Sequence, residues 1–270
     1  MMAAVRTDSS LVLATGVTAI TQTALANAIK NAFSLAGYGS SPFDEYSSGT
    51  DRYLIYQLIF DQAKTYGTVY LQIKITSNLG LSQRLYSNWD AVAHTGQNSS
   101  TETASVAVNS VAQIDFMGLT KSPEMRLVMV YQGATAICLG YLRPEFKPSW
   151  WNENVYPYCM IPNTLGLFAT WYIPSLTPFT GSLTTSGRIQ ASFTQAQMVS
   201  PNPISARRDV IPGVLFFPWS NEGVAGRSST DLAIVASGNL LRQDVIQVTP
   251  GQEEYVLLGG GTGQPAVRLI

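Results

Sequence analysis

The sequence predicts a mainly β protein. Its N-terminal half is α+β, one helix on an antiparallel sheet, and a β-sandwich-like C-terminal unit follows. Three observations carry this prediction. One stretch near the start repeats its apolar residues at helical spacing. Many short segments elsewhere alternate with a period of two between Gly, Asn and Pro turns. Charged residues are only 12% of the 270-residue chain while 46% is apolar, against about 25% charged in an ordinary soluble domain. Such a chain buries a real core under a neutral polar skin. A monomer normally carries more surface charge, so the low charge points toward a surface partly covered by neighbours.

The helix is expected over about Thr21 to Ala36. Leu25, Ile29, Phe33 and Ala36 share one face, with Ala24, Ala28 and Ala32 beside them. Gly37 suits the stop. GYGSSPFDEYSSGTD, full of turn residues, reads as a loop. DRYLIYQLIFD (51–61) is apolar on both faces, as an inner strand should be. TVYLQIKIT (68–76) puts Val69, Leu71, Ile73 and Ile75 on one face and Thr68, Tyr70, Gln72 and Lys74 on the other. QAKTYG (62–67) suits a hairpin between these two. ASVAVNSVAQIDF, RLVMVYQG and ATAICLGYL are further strand candidates, with a turn at Gln132-Gly133. Prolines crowd in after Tyr141 and cannot donate to a ladder. They set a soft boundary near 145, dividing a 1–145 domain from a 146–270 domain. Beyond it LGLFATWYI, RIQASFTQA, VLFFPW, DLAIVAS, DVIQV, EYVLL and AVRLI read as strands, and VTPGQEEY as a hairpin. No internal repeat of fixed period is present.

Several function classes drop out. The formal net charge is −1 and the only adjacent basic pair is Arg207-Arg208, so no basic stripe for nucleic acid exists. Arg6, LVLATGVTAI and TQTALA loosely mimic a signal peptide, but Thr15, Gly16 and Thr18 break the apolar run, and none is expected. No run approaches the roughly 20 apolar residues of a membrane helix, so membrane insertion is not expected. Cys138 and Cys159 read as buried free thiols, with pairing left open. His94 is the only histidine, sits in the polar stretch AVAHTGQNSS, and completes no zinc spacing. It reads as a surface residue without a special role. There is no G-x-S-x-G elbow and no Walker A loop, and GGGTG (259–263) reads as a turn. No catalytic residue, metal or cofactor is predicted. Glycoside cleavage needs only two carboxylates about 5–10 Å apart. Glu145 and Glu153 are the pair nearest the aromatic residues, while Glu102, Glu124 and Glu222 read equally well as surface charges.

PSWWNENVYPYC (148–159) is the most distinctive stretch. Trp150, Trp151, Tyr156 and Tyr158 are the candidate contact residues. If the chain is extended here, the two tryptophans point to opposite faces, and only one can enter a given core. The stretch reads as core packing, as a subunit interface, or as a sugar platform with Asn152, Glu153 and Asn154 as polar partners.

YQLIFDQAKTYGTVYLQIKI, SNWDAVAHTGQNSS, PEMRLVMVYQG and GVAGRSSTDLAIVASGNLLRQDVIQVTPGQEEYVLL together resemble virion structural proteins of tailed bacteriophages. The resemblance covers about two-thirds of the chain, by phrase order rather than by a catalytic signature, and carries no active-site residues. It implies a non-enzymatic subunit of the tail, at its tip, baseplate or fibre attachment. Such a subunit folds in the host cytoplasm and assembles with copies of itself and other virion proteins. Alternatives are a capsid decoration or head–tail connector protein, and a carbohydrate-binding tail protein that recognises a host surface glycan.

Overall fold

The computed structural model describes residues 3–164, 170–178, 188–192, 204, 208–218, 223–248, 253–260 and 263–269. Residues 5–11, for which no strand was predicted, form β1 (Val5–Leu11). The helix α1 (Gln22–Leu35) lies where its periodicity placed it. Thr21 caps its start, the side-chain oxygen accepting the Ala24 N–H at 3.1 Å. Gly37 ends it at φ +82°. The Tyr38 N–H reaches Phe33 O and the Gly37 N–H reaches Ser34 O, both at 3.0 Å, a closure that favours glycine at that position. Leu25, Ala26, Ile29, Ala32 and Phe33 form the buried face.

The expected loop before residue 51 contains β2 (Asp44–Ser48), which pairs with β3 (Asp51–Ile59). β4 (Thr68–Ile75) and β5 (Gly80–Tyr86) continue this sheet. A short hairpin, β6 (Asn88–Asp90) and β7 (Thr95–Gln97), follows, and then β8 (Val106–Ala107). β9 (Ile114–Lys121), β10 (Met125–Gln132) and β11 (Thr135–Leu142) make a meander. The two main sheets have the orders β2-β3-β4-β5-β8 and β1-β9-β10-β11, antiparallel throughout. Their facing sides and α1 enclose a first core.

The rest of the described chain is also strand and connection. It comprises β12 (Ile161–Pro162), β13 (Thr170–Tyr172), β14 (Arg188–Ser192), β15 (Val210–Pro212), β16 (Leu215–Pro218), β17 (Gly226–Arg227), β18 (Leu232–Val235), β19 (Val245–Gln247), β20 (Glu254–Leu257) and β21 (Gln264–Arg268). They form two further antiparallel sheets, β12-β13-β14-β16-β17 and β15-β18-β21-β20-β19. The turn of VTPGQEEY at 249–252, part of GGGTG, Arg207, Trp219, Glu222 and parts of LGLFATWYI and RIQASFTQA lie outside the described residues.

Within the β1-β9-β10-β11 sheet, β10 and β11 are covered on both sides, which explains why LVMV and AICL are apolar on both faces. Along β10, Val128 and Val130 enter the first core, while Leu127, Met129 and Tyr131 enter a second. The second core is completed by Trp151, Tyr158, Trp171, Phe216, Leu232, Ile234 and Val267, so it spans both sides of residue 145. Cys138 belongs to the second core and Cys159 to the first, and both are free thiols. Burial pushes both thiols up, away from the reactive thiolate.

Two buried polar groups tie the layers. Gln83 donates to Cys138 O (3.1 Å) and Pro162 O (2.8 Å) and accepts the Gly140 N–H (2.9 Å), joining the two N-terminal sheets. Asp231, whose side chain is 0% exposed, receives Lys121 Nζ at 2.5 Å and Arg268 Nε at 2.6 Å. Lys121 ends β9 and Arg268 ends β21, so this carboxylate clamps the central sheet to the C-terminal strands. The Ala4 N–H reaches Arg268 O at 3.1 Å beside it.

Candidate functional site

Residues 148–156 turn rather than extend, with the Trp151 N–H on Pro148 O at 3.1 Å. The two tryptophan rings therefore do not point to opposite faces of a strand. Their centroids lie 5.8 Å apart, yet Trp151 is 3% exposed and Trp150 51%. Trp151 packs on Tyr158 at 4.7 Å and edge-on to Tyr156 at 6.4 Å. The Tyr158 hydroxyl donates to Ala225 O at 3.2 Å, and burial raises its pKa. Trp151 and Tyr158 thus lie inside the chain's own core. The surface left for another molecule narrows to Trp150 and the half-buried Tyr156.

The polar groups of this stretch are engaged within the chain. Asn152 Oδ1 accepts the Asn154 N–H (2.9 Å), and Asn154 Oδ1 accepts the Thr65 N–H (3.2 Å). Glu153 Oε1 accepts from Arg143 Nη2 (2.8 Å) and Lys147 Nζ (2.7 Å). Glu145 and Glu153 do line one small cavity of 180 Å³, but Glu153 is committed to two cations. Trp150 instead borders a groove of about 380 Å³ with Phe146, Pro148, Val224 and Arg227. The Arg227 guanidinium sits 4.1 Å over the Phe146 ring.

A second site was not legible in the sequence. The β2–β5 sheet turns its other face away from the first core. Backbone register sets Tyr46 opposite Tyr53 and Tyr53 opposite Lys74. The next row is Asp44, Ile55, Gln72 and Arg84, and the next Gln57, Tyr70 and Tyr86. The β6–β7 hairpin lies on this face and buries Trp89 against Ile55, Tyr70 and Tyr86. What remains open is a cleft of about 440 Å³ lined by Tyr46, Tyr53, Gln72, Arg84, Tyr86, His94 and Glu102, with Ser47, Ser48 and Ala93 at the rim.

His94, read as a residue without a role, is built into this cleft. Tyr46 stacks on Tyr53 at 4.8 Å and 7° and on His94 at 4.3 Å and 15°, which makes a three-ring stack with Tyr46 in the middle. Asp44 Oδ2 accepts from His94 Nδ1 and from Trp89 Nε1, each at 2.9 Å. A carboxylate only accepts, so Nδ1 carries the hydrogen and Nε2 is the ring's remaining polar atom. Asp90 folds the turn that presents His94, its Oδ1 accepting the Val92 and Ala93 N–H groups at 2.8 and 3.0 Å. Those two backbone bonds hold the Asp90 carboxyl below its ordinary value. His94 itself takes φ +52°, a conformation in which His is enriched among non-glycine residues.

On the other side, Glu102 accepts from Ser82 Oγ (2.8 Å) and Arg84 Nη2 (3.0 Å), and the Tyr86 hydroxyl donates to Gln72 Oε1 (3.2 Å). Burial, then Tyr86, Tyr53 and Asp44, push the Tyr46 phenol up to about 12, so its hydroxyl is neutral at physiological pH. Among the described residues no three His, Cys, Asp or Glu side chains gather as a metal site.

Gly96 lets the hairpin approach. A Cβ there would fall 2.2 Å from the Tyr86 ring. Gly96→Ala is expected to cost about 1–3 kcal/mol by overpacking. It should lift the hairpin and speed hydrogen exchange of the Ser87 N–H, now bonded to Gln97 O at 3.0 Å. Exchange rates unchanged from the parent would count against this close packing.

No helix among the described residues is long and apolar enough to cross a membrane. No family model matches the chain, and no curated protein sequence matches it.

Proposed function

We propose that the chain is a non-enzymatic structural subunit of a bacteriophage virion, in the tail at its tip, baseplate or fibre attachment, acting through subunit–subunit assembly. The observation that carries the reading is the groove at Trp150. Phe146, Trp150 and Val224 are 48%, 51% and 42% exposed within one patch. Arg227 and Lys147, the latter paired with Glu153 at 2.7 Å, stand at its rim. An aromatic anchor with an arginine beside it is the residue chemistry of interface hot spots. The 12% charged fraction supports the same reading, because a subunit covered by neighbours needs less charge to stay dispersed. The partners are further copies of the chain and other virion proteins.

The test is absolute mass by size-exclusion chromatography with light scattering over a concentration series. A discrete oligomer is expected, with Trp150→Ala weakening its association about tenfold or more at unchanged melting temperature. A monomer at every concentration, for parent and variant alike, would remove self-assembly through this groove.

A further inference from the structure

We infer that the cleft on the outer face of the β2–β5 sheet binds a neutral pyranose residue of a glycan. The inference does not rest on the assembly reading, since the cleft and the Trp150 groove share no residue.

A pyranose presents an apolar C–H face on one side and hydroxyls at its edge. The cleft offers the complement of both. Tyr53 and His94, which both line the cleft, stack on opposite faces of Tyr46, so each is held on one side and keeps an outer ring face. A ring held on one side in a stack has lost its side-chain freedom in advance, so contact with a sugar face costs little further ordering. Around the rings stand groups that accept and donate in fixed planes: the Glu102 carboxylate, the Arg84 guanidinium and the Gln72 amide. Each is oriented by a neighbour, Glu102 by Ser82 and Arg84, and Gln72 by the Tyr86 hydroxyl. Vicinal hydroxyls, each both donor and acceptor, are the ligand groups that suit such a lining.

Charge decides between a neutral sugar and an ion. Arg84 and Glu102, the charged residues of the lining, pair at 3.0 Å, and Lys74 beside Tyr53 pairs with Asp51 at 3.0 Å. The cleft thus presents paired charges and no excess of either sign, which attracts neither a phosphate nor a metal ion. The volume of about 440 Å³ lies in the ~300–1,000 Å³ range of ligand pockets. The cleft is also preformed, since its hairpin wall is fixed by the Asp90 turn, the Asp44 bridge and the close approach at Gly96.

The test uses the full chain and free tetrasaccharides of glucose, galactose, mannose and N-acetylglucosamine, with sialylated and uronic-acid oligosaccharides as the charged arm. Binding is read by saturation-transfer NMR and titration calorimetry. At least one neutral probe is expected to bind with a millimolar or tighter dissociation constant, transferring saturation to its ring C–H protons. Tyr53→Ala and Glu102→Gln are each expected to weaken it about tenfold. Trp150→Ala is expected to leave it unchanged while altering the light-scattering mass, so the two readings fail separately. Glu102→Gln is nearly isosteric and keeps the test decisive if Tyr53→Ala does not fold. No saturation transfer from any neutral probe at about 10 mM would overturn the inference. Binding that survives both substitutions, or binding of the acidic probes alone, would overturn it equally.

Discussion

Trp151→Ala is expected to destabilise the protein by about 3–5 kcal/mol, and Trp150→Ala by less than about 1 kcal/mol. The residues are adjacent and chemically identical, so the difference isolates burial. Trp151 is 3% exposed, against Tyr158 and within the second core. Truncation removes its transfer free energy and leaves a cavity that the two flanking sheets can only partly fill. A domain has only about 5–15 kcal/mol to lose, so the variant is expected to be near unfolding at physiological temperature. Trp150 already spends half its surface in water and loses little. Urea titration of both variants, compared at equal m-value, is the measurement. Equal losses at the two positions would mean that Trp150 is buried as deeply as Trp151.

The second large effect belongs to Asp231. Asp231→Asn is expected to cost about 3–5 kcal/mol, because Lys121 and Arg268 would be left facing a neutral amide in a buried site. Burial by itself disfavours the carboxylate, but the hydrogen bonds and charges of Lys121 and Arg268 outweigh it and hold Asp231 below the usual carboxylate range. The direction of the pH effect follows. A depressed folded-state value means that the stabilisation is complete above the unfolded-state value, near about 3.9, and is lost as pH falls through the folded value. Stability from this group should therefore be flat from neutrality to about pH 5 and decline below about pH 4. Glu45 adds in the same window. Against the opposing effect of burial, Arg52 and Lys30 hold it down. Asp231→Asn should thus reduce the acid slope without abolishing it. An acid limb identical to the parent's would show that the clamp contributes nothing.

The parts of the fold legible in the sequence are those whose signal is local. The helix repeats every three to four residues and carries both of its caps, and across a short link β3 declares itself by a run apolar on both faces and β4 by alternation. β1 was missed because VRTDSSL has almost no apolar alternation, and its partner β9 is more than a hundred residues away. β2 was missed because an edge strand over a half-open face keeps polar and turn-forming residues. The β6–β7 hairpin hid in NWDAVAHTGQ (88–97), whose turn at 91–94 has neither Gly nor Pro, and Asp90 was the available turn signal.

The cleft illustrates the same limit. Alternation in TVYLQIKIT correctly put Gln72 and Lys74 away from the core. Only the register of β2, β3, β4 and β5 places Tyr46, Tyr53 and Arg84 beside them, and register is a property of pairs of strands. Glu102 and His94, each read as an ordinary surface residue, acquire their positions from segments folded back over that face. For the aromatic stretch, composition singled out four rings, of which Trp151 and Tyr158 are buried in the second core. The local turn decided which of them is available to a partner.

The central sheet has a consequence for how the chain is made. Its last three strands are complete by residue 142, and from that point the side bearing Met117, Leu119, Leu127, Met129 and Tyr131 is a broad apolar wall. Its cover comes from residues 151 to 267, which leave the ribosome later. At about 5–20 residues per second, that wall stays open to the cell for many seconds during each round of synthesis. Growing chains on one polysome are then sticky neighbours. The interval before the C-terminal strands arrive is when this protein depends most on chaperones and is lost most easily to aggregation.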